Sequence, residues 1–105
     1  MTRRKAAVAG QFYPGSREEI ERMLAELVDE VPDKERVLGA MAPHAGWIYS
    51  GRSAGILYSR IEIPDTVLIM CPNHRGLGEQ VAIMVEGVWE LPTGDVELDS
   101  DLAKR

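Results

Sequence analysis

The stretch VLGAMAPHAGWIYSG, residues 37–51, decides how this chain of 105 residues is read. Residues 37–42 are apolar on both faces and short, the pattern of a buried parallel strand. Pro43 has no N–H to give a ladder, so the strand is expected to stop there. His44 follows at once, then Gly46, Trp47 and Tyr49. The same order recurs downstream: residues 66–71 (TVLIMC) form a second apolar run, ended by Pro72 and followed by Asn73 and His74. Between the runs, Ser50 or Ser53 can cap a helix whose inner face is Ala54, Leu57, Tyr58 and Ile61. Strand, helix and strand in this order predict a βαβ unit with a right-handed crossover.

Working outward, residues 6–15 read as an extended entry closed by a turn at Phe12-Tyr13-Pro14-Gly15. Ser16 with Glu19 three residues on is a capping-box signal. The stripe Ile20, Met23, Leu24, Leu27, Val28 and Val31 then predicts a helix ended by Pro32. Residues 81–85 and 88–91 predict a hairpin about Glu86-Gly87, and Pro92-Thr93-Gly94 a turn. Asp99 or Ser100 marks the start of a third helix with Leu102 on its inner face. The predicted fold class is α/β: a βαβ-containing mixed sheet with flanking helices. Two full helices scarcely cover both faces of a buried parallel sheet, so the pattern is that of one part of a larger α/β domain.

Composition narrows the function classes. The chain is 45% hydrophobic and 28% charged, with a formal net charge of −5. Its one basic cluster, Arg3-Arg4-Lys5, reads as a solvated end, so no nucleic-acid partner is expected. No apolar run approaches the roughly 20 residues that span a bilayer, so no membrane partner is expected. Residues 6–9 are too short an apolar run for a signal peptide. A single cysteine, Cys71, excludes an internal disulfide and favours a reducing compartment; the expected location is cytoplasmic.

Both histidines of the chain stand just beyond the carboxyl ends of the two predicted strands, where open α/β sheets bind ligands. Neighbouring strands would bring the two imidazoles together. Two convergent neutral imidazoles are half of a metal site, for which nitrogen suits zinc, iron, copper or nickel. A surface histidine with no such role is the plain alternative for each. A catalytic centre normally takes three protein ligands, and no third histidine exists here. Cys71, Glu79, Glu90, Asp95 and Asp99 are candidates, none singled out by spacing. Cys71 ends an apolar run, where free cysteine behaves as a small hydrophobe. If the chain after His44 is extended, Trp47 and Tyr49 face one side as a wall for a flat ligand, with Tyr13 against the same crevice. Buried structural aromatics are the alternative. No serine sits on a nucleophile elbow, and no catalytic residue is assigned.

Residues 8–14 (VAGQFYP), 43–46 (PHAG), 49–51 (YSG), 72–74 (PNH) and 89–94 (WELPTG) occur in that order. Together they resemble the N-terminal part of the Memo-like family, also called AmmeMemoRadiSam system protein B. The resemblance covers essentially the whole chain, and PHAG with PNH is its specific part. It implies a fold similar to the class III extradiol ring-cleavage dioxygenases, which use a non-haem iron centre. It also implies that His44 and His74 are two of the histidines lining a metal pocket. The other pocket residues, a further histidine among them, would come from a C-terminal portion absent here. Cys71 stands where the family usually has glycine, and Thr93 where it usually has leucine; neither is an implied ligand.

The resulting expectation is a single, incomplete Memo-like, extradiol-dioxygenase-like domain over residues 1–105. The full-length protein would be a metal-binding pocket protein with dioxygenase-like activity, holding a divalent metal, iron first and zinc or copper otherwise. Its ligand would be a small molecule or peptide bound beside Trp47, Tyr49, Asn73 and Tyr13. The 105-residue chain alone would be inactive and would pair with the missing portion or with itself. The alternative is a non-catalytic module that binds aromatic or anionic, phospho-type ligands in the same crevice.

Overall fold

Ser16 is the N-cap of the first helix, α1 (Arg17–Leu27), and its side-chain oxygen accepts the Glu19 N–H at 3.3 Å. Glu18 and Glu19 place negative charge in the first turn, where the helix dipole favours it. The computed structural model describes residues 2–105. After β1 (Arg3–Arg4) and α1 come α2 (Trp47–Arg60), β2 (Val88–Leu91), β3 (Gly94–Glu97) and α3 (Ser100–Ala103). The sheet order is β1-β2-β3, with β1 parallel and β3 antiparallel to β2. The fold is therefore a small α/β arrangement: a mixed three-stranded sheet with three helices.

Helix α1 stops at Leu27, a turn earlier than its apolar stripe predicts, and the reason is tertiary. Val28 is extended, and the next N–H, that of Asp29, donates to Ser59 Oγ at 2.7 Å. Ser59 lies on α2 below Gly51 and Gly55, and these three are the buried residues of that helix. A Cβ added to Gly55 would sit 2.1 Å from the Leu27 carbonyl oxygen, so the two backbones meet where no side chain fits. The buried face of α2 is thus one of small residues, shifted from the predicted Ala54, Leu57 and Tyr58. Ile61, just after the helix, is buried with Ile20 and Val88. Helix α2 begins at Trp47 behind Gly46, with no side-chain cap, rather than behind Ser50 or Ser53.

The sheet forms elsewhere than predicted. Val88 pairs with Glu97 and Leu91 with Gly94, so the hairpin turns at Pro92-Thr93, not at Glu86-Gly87. Gly87 instead has φ +113°, and a Cβ there would fall 2.3 Å from the Thr2 carbonyl oxygen. Its role is to let β2 pass close beneath the incoming chain, which then pairs Arg3 with Val88 and Arg4 with Trp89. Arg3 and Arg4 of the basic cluster therefore form a strand, while the cluster stays exposed as expected. Arg3 donates through Nε to Glu90 at 2.6 Å and through a terminal nitrogen to Asp95, tying β1 to β2 and β3. These bonds, Asp95 first, hold its pKa above the ordinary guanidinium value. Arg4 stacks its guanidinium 5.7 Å from the Trp89 ring centroid. The turn expected over residues 12–15 comes earlier: Gly10 N–H donates to Tyr13 O at 2.8 Å, and Ala9 bridges Tyr13.

The predicted βαβ strands, residues 37–42 and 66–71, do not form a hydrogen-bonded ladder. Parallel strands are stable where neighbours pair with them and both faces are covered. Among the described residues nothing covers them: Leu38, Met41 and Met70 are almost wholly exposed. Cys71, expected to be a buried small hydrophobe, is exposed as well. The two segments nevertheless start together. Glu35 and Ile61 form a parallel bridge, with Glu35 N–H to Arg60 O at 2.8 Å and Glu62 N–H to Glu35 O at 2.9 Å.

Candidate functional site: paired histidines beside an apolar groove

The segments that start at the Glu35–Ile61 bridge end at the two histidines, which meet. His44 Nε2 and His74 Nε2 are 3.0 Å apart, and the ring centroids 5.1 Å apart at an interplanar angle of 31°. Both rings are exposed. Thirty positions separate them in sequence, so only the fold unites them.

Each histidine sits on a braced turn. Beyond His44, Ser50 Oγ donates to Ala45 O at 3.1 Å, while Trp47 N–H donates to Phe12 O at 2.8 Å. The Trp47 bond ties the start of α2 to the turn after Val8. On the other side, Asn73 Nδ2 donates to Leu77 O at 2.7 Å and Asn73 Oδ1 accepts the Gly76 N–H at 3.0 Å. The Asn73 amide therefore shapes the loop carrying His74.

The aromatic residues separate into two groups. Trp47 and Tyr49 lie in the first turn of α2, where side chains two apart do not share a face. The flat wall expected from an extended chain is thus not formed. Trp47 instead packs on Tyr13, with ring centroids 5.9 Å apart, and Tyr49 is 82% exposed. Tyr13, Trp47 and His44 share a groove of about 390 Å³ with Phe12, Leu27 and Tyr58, running between α1 and α2. His74, Asn73 and Tyr49 do not line it. The groove thus opens beside the histidine pair, with His44 common to both.

Phe12 and Ser50 carry no chemical signal in the sequence. Their parts in the site, a backbone acceptor and a local brace, depend on contacts that only folding makes. Trp89 Nε1 is buried without a hydrogen-bond partner among the described residues.

Two imidazole nitrogens at 3.0 Å can do one of two things. One ring can donate Nε2–H to the other, which requires opposite tautomers. Alternatively both lone pairs can face one cation. Among the described residues, no group of three His, Cys, Asp or Glu side chains could hold a metal. Cys71, Glu79, Glu90, Asp95 and Asp99 do not complete the pair.

The fold and site define a small α/β protein with a mixed sheet and two histidines, each behind an apolar run and a proline, brought into contact. A family model described as Memo-like protein matches residues 4–105. The chain belongs to the Memo-like family. It is 42% identical to a MEMO1 family protein of Nitrosopumilus maritimus, over 96% of this chain and 40% of that protein. A MEMO1 family protein of Aquifex aeolicus is 42% identical over 97% of this chain and 39% of its own length. One from Pyrobaculum arsenaticum is 45% identical over 96% and 40%. The chain thus spans about two fifths of the length of these relatives. No solved structure matches it at a significant level. No helix among the described residues is long and apolar enough to cross a membrane.

Proposed function

We propose that His44 and His74 supply two ligands to a divalent metal, iron first and zinc or copper otherwise, in the pocket of a Memo-like protein. The whole protein would act as a non-haem, dioxygenase-like enzyme. The observation that supports this is the 3.0 Å approach of the two Nε2 atoms at the ends of two separate segments. When bound, a metal there supplies Lewis acidity that orients an anionic oxygen ligand and stabilises its charge. His44 and His74 would present their nitrogens to the ion, each from a segment with hydrogen bonds to its own backbone. Asn73 keeps the His74 loop closed by its bonds to Leu77 and Gly76. Trp47 and Tyr13 give the adjoining groove an apolar wall on which an aromatic ring can lie. Further ligands would come from the bound molecule, from water or from polypeptide outside this chain. The 105-residue chain alone is expected to bind metal weakly and to turn over nothing.

The test is titration of the purified chain and of the full-length Aquifex aeolicus relative with cobalt(II) and iron(II), followed by calorimetry and visible spectra. Parent protein should bind one ion, and His44→Ala or His74→Ala should weaken binding at least tenfold. Equal binding by the parent and by the double variant would refute the reading. A metal-free protein that still binds phenyl phosphate through both histidines would favour the non-catalytic binding module.

A further inference from the structure

We propose that the loop of residues 8–15 is the positioning element of His44: its Phe12 carbonyl caps α2 and thereby sets where the histidine enters the site. The inference rests on reading the paired histidines as the site, and adds the part that places one of them. Helix α2 begins behind Gly46, which provides no side-chain cap. The Trp47 N–H is met instead by the Phe12 carbonyl at 2.8 Å, from a loop that α1 separates from α2 in sequence. A Cβ added to Gly46 would lie 3.4 Å from that oxygen and 3.7 Å from the Phe12 Cα, so the two backbones touch. A serine or aspartate at position 46 would meet first-turn N–H groups from within the helix. A carbonyl from another loop does so only where loop and helix are held together, so this bond fixes a position as well as satisfying a donor. His44 stands two residues before the cap, a reach of no more than about 7 Å.

The loop is built to hold that carbonyl. Val8 O accepts the N–H groups of Gln11 and Phe12, each at 3.0 Å, and Gly10 N–H donates to Tyr13 O at 2.8 Å. Gly10 has φ +80°, and a Cβ added to Gly15 would fall 3.3 Å from the Gly10 Cα, so the loop closes glycine on glycine. Ser16, the next residue, caps α1. One closed loop therefore joins the start of α1 to the start of α2, and the Tyr13 ring packs on Trp47 at the same join. Ser50, in the first turns of α2, holds the Ala45 carbonyl, so a shift of the helix start moves the residue next to His44.

The experiment uses the metal-free chain, so that it reads geometry and not metal binding. An ester in place of the Gly46–Trp47 amide, introduced with the α-hydroxy analogue of tryptophan, deletes the Trp47 N–H and keeps every side chain. This protein should keep its far-ultraviolet circular dichroism and lose the nuclear Overhauser contacts between the His44 and His74 rings. Gly10→Val puts a β-branched residue at positive φ; it should lose the same contacts and speed amide exchange at Trp47 by about 10-fold or more. Gly10→Asn, whose side chain tolerates that φ, should keep the contacts and hold the exchange within about threefold of the parent. The proposal is overturned if the ester protein keeps the ring contacts. It is equally overturned if Gly10→Val lowers the urea midpoint yet leaves the contacts intact, as a merely structural loop would. Should Gly10→Val not fold, the ester protein decides alone. Failure of the parent to bind cobalt(II) would refute the metal reading, and the ring contacts would still decide this one.

Discussion

Replacing Gly55 with alanine puts a methyl group 2.1 Å from the Leu27 carbonyl oxygen and 2.8 Å from its carbonyl carbon. On a solvent-facing helix the same change stabilises by about 1 kcal/mol, because glycine is the poorer helix former. Here the obstructing atoms belong to the backbone and cannot rotate aside. Helices α1 and α2 would have to separate by more than about 1 Å to restore ordinary contact. Overpacking of this kind typically costs about 1–3 kcal/mol. The separation also strains the 2.7 Å bond from Asp29 N–H to Ser59 Oγ, which contributes about 1 kcal/mol. Set against the gain in propensity, the net expectation is a loss of about 2 kcal/mol, or about 10 °C in Tm for a chain of this size. Urea and thermal unfolding followed by far-ultraviolet circular dichroism measure it. Gly51→Ala is the control: its new Cβ meets the flexible end of the Leu27 side chain at 3.1 Å. That variant should be neutral or up to about 1 kcal/mol more stable. Gly55→Ala protein as stable as the parent would refute the close crossing of α1 and α2.

Ser59→Ala strips the Asp29 N–H of its acceptor and should cost about 1–3 kcal/mol; an unchanged urea midpoint would count against that bond. Ser16→Ala should destabilise α1 by about 1 kcal/mol and speed amide exchange in its first turn, and identical exchange would show that Ser16 does not cap. Asn73→Ala lies at an exposed position, so stability should change by no more than about 0.5 kcal/mol. The same variant should lose nuclear Overhauser contacts between the His44 and His74 rings, whereas unchanged contacts would mean Asn73 does not position His74.

What could be read ahead of folding was local. Ser16 and Asp99 act as N-caps as their positions suggest, because each cap depends only on a side-chain oxygen and an N–H two or three residues on. The pairing of His44 with His74 was also legible, since proline stops after two apolar runs set both histidines at comparable places. Misplaced features were those that depend on distant backbone. The buried face of α2 is Gly51, Gly55 and Ser59, because glycine lets two chains touch and carries no periodic apolar signal. Strand β3, with the sequence GDVE, shows no strand pattern of its own; it exists because β2 lies beside it. For the same reason, the wall expected from Trp47 and Tyr49 gave way to a stack of Trp47 on Tyr13.

The amino-acid sequence by itself determined the class, the starts of α1 and α3 and the meeting of His44 with His74, because these follow from caps, prolines and apolar runs read over a few positions. Tertiary structure alone decided where α1 ends, which strands pair and whether an apolar run becomes a strand. Residues 37–42 and 66–71 show why. Their composition favours a parallel sheet, but a strand is a property of two chains, and ladder bonds form only where a neighbour supplies the other half. The histidines at their ends nevertheless meet, since a turn and a bridge suffice to place a side chain, whereas a sheet needs the rest of its strands.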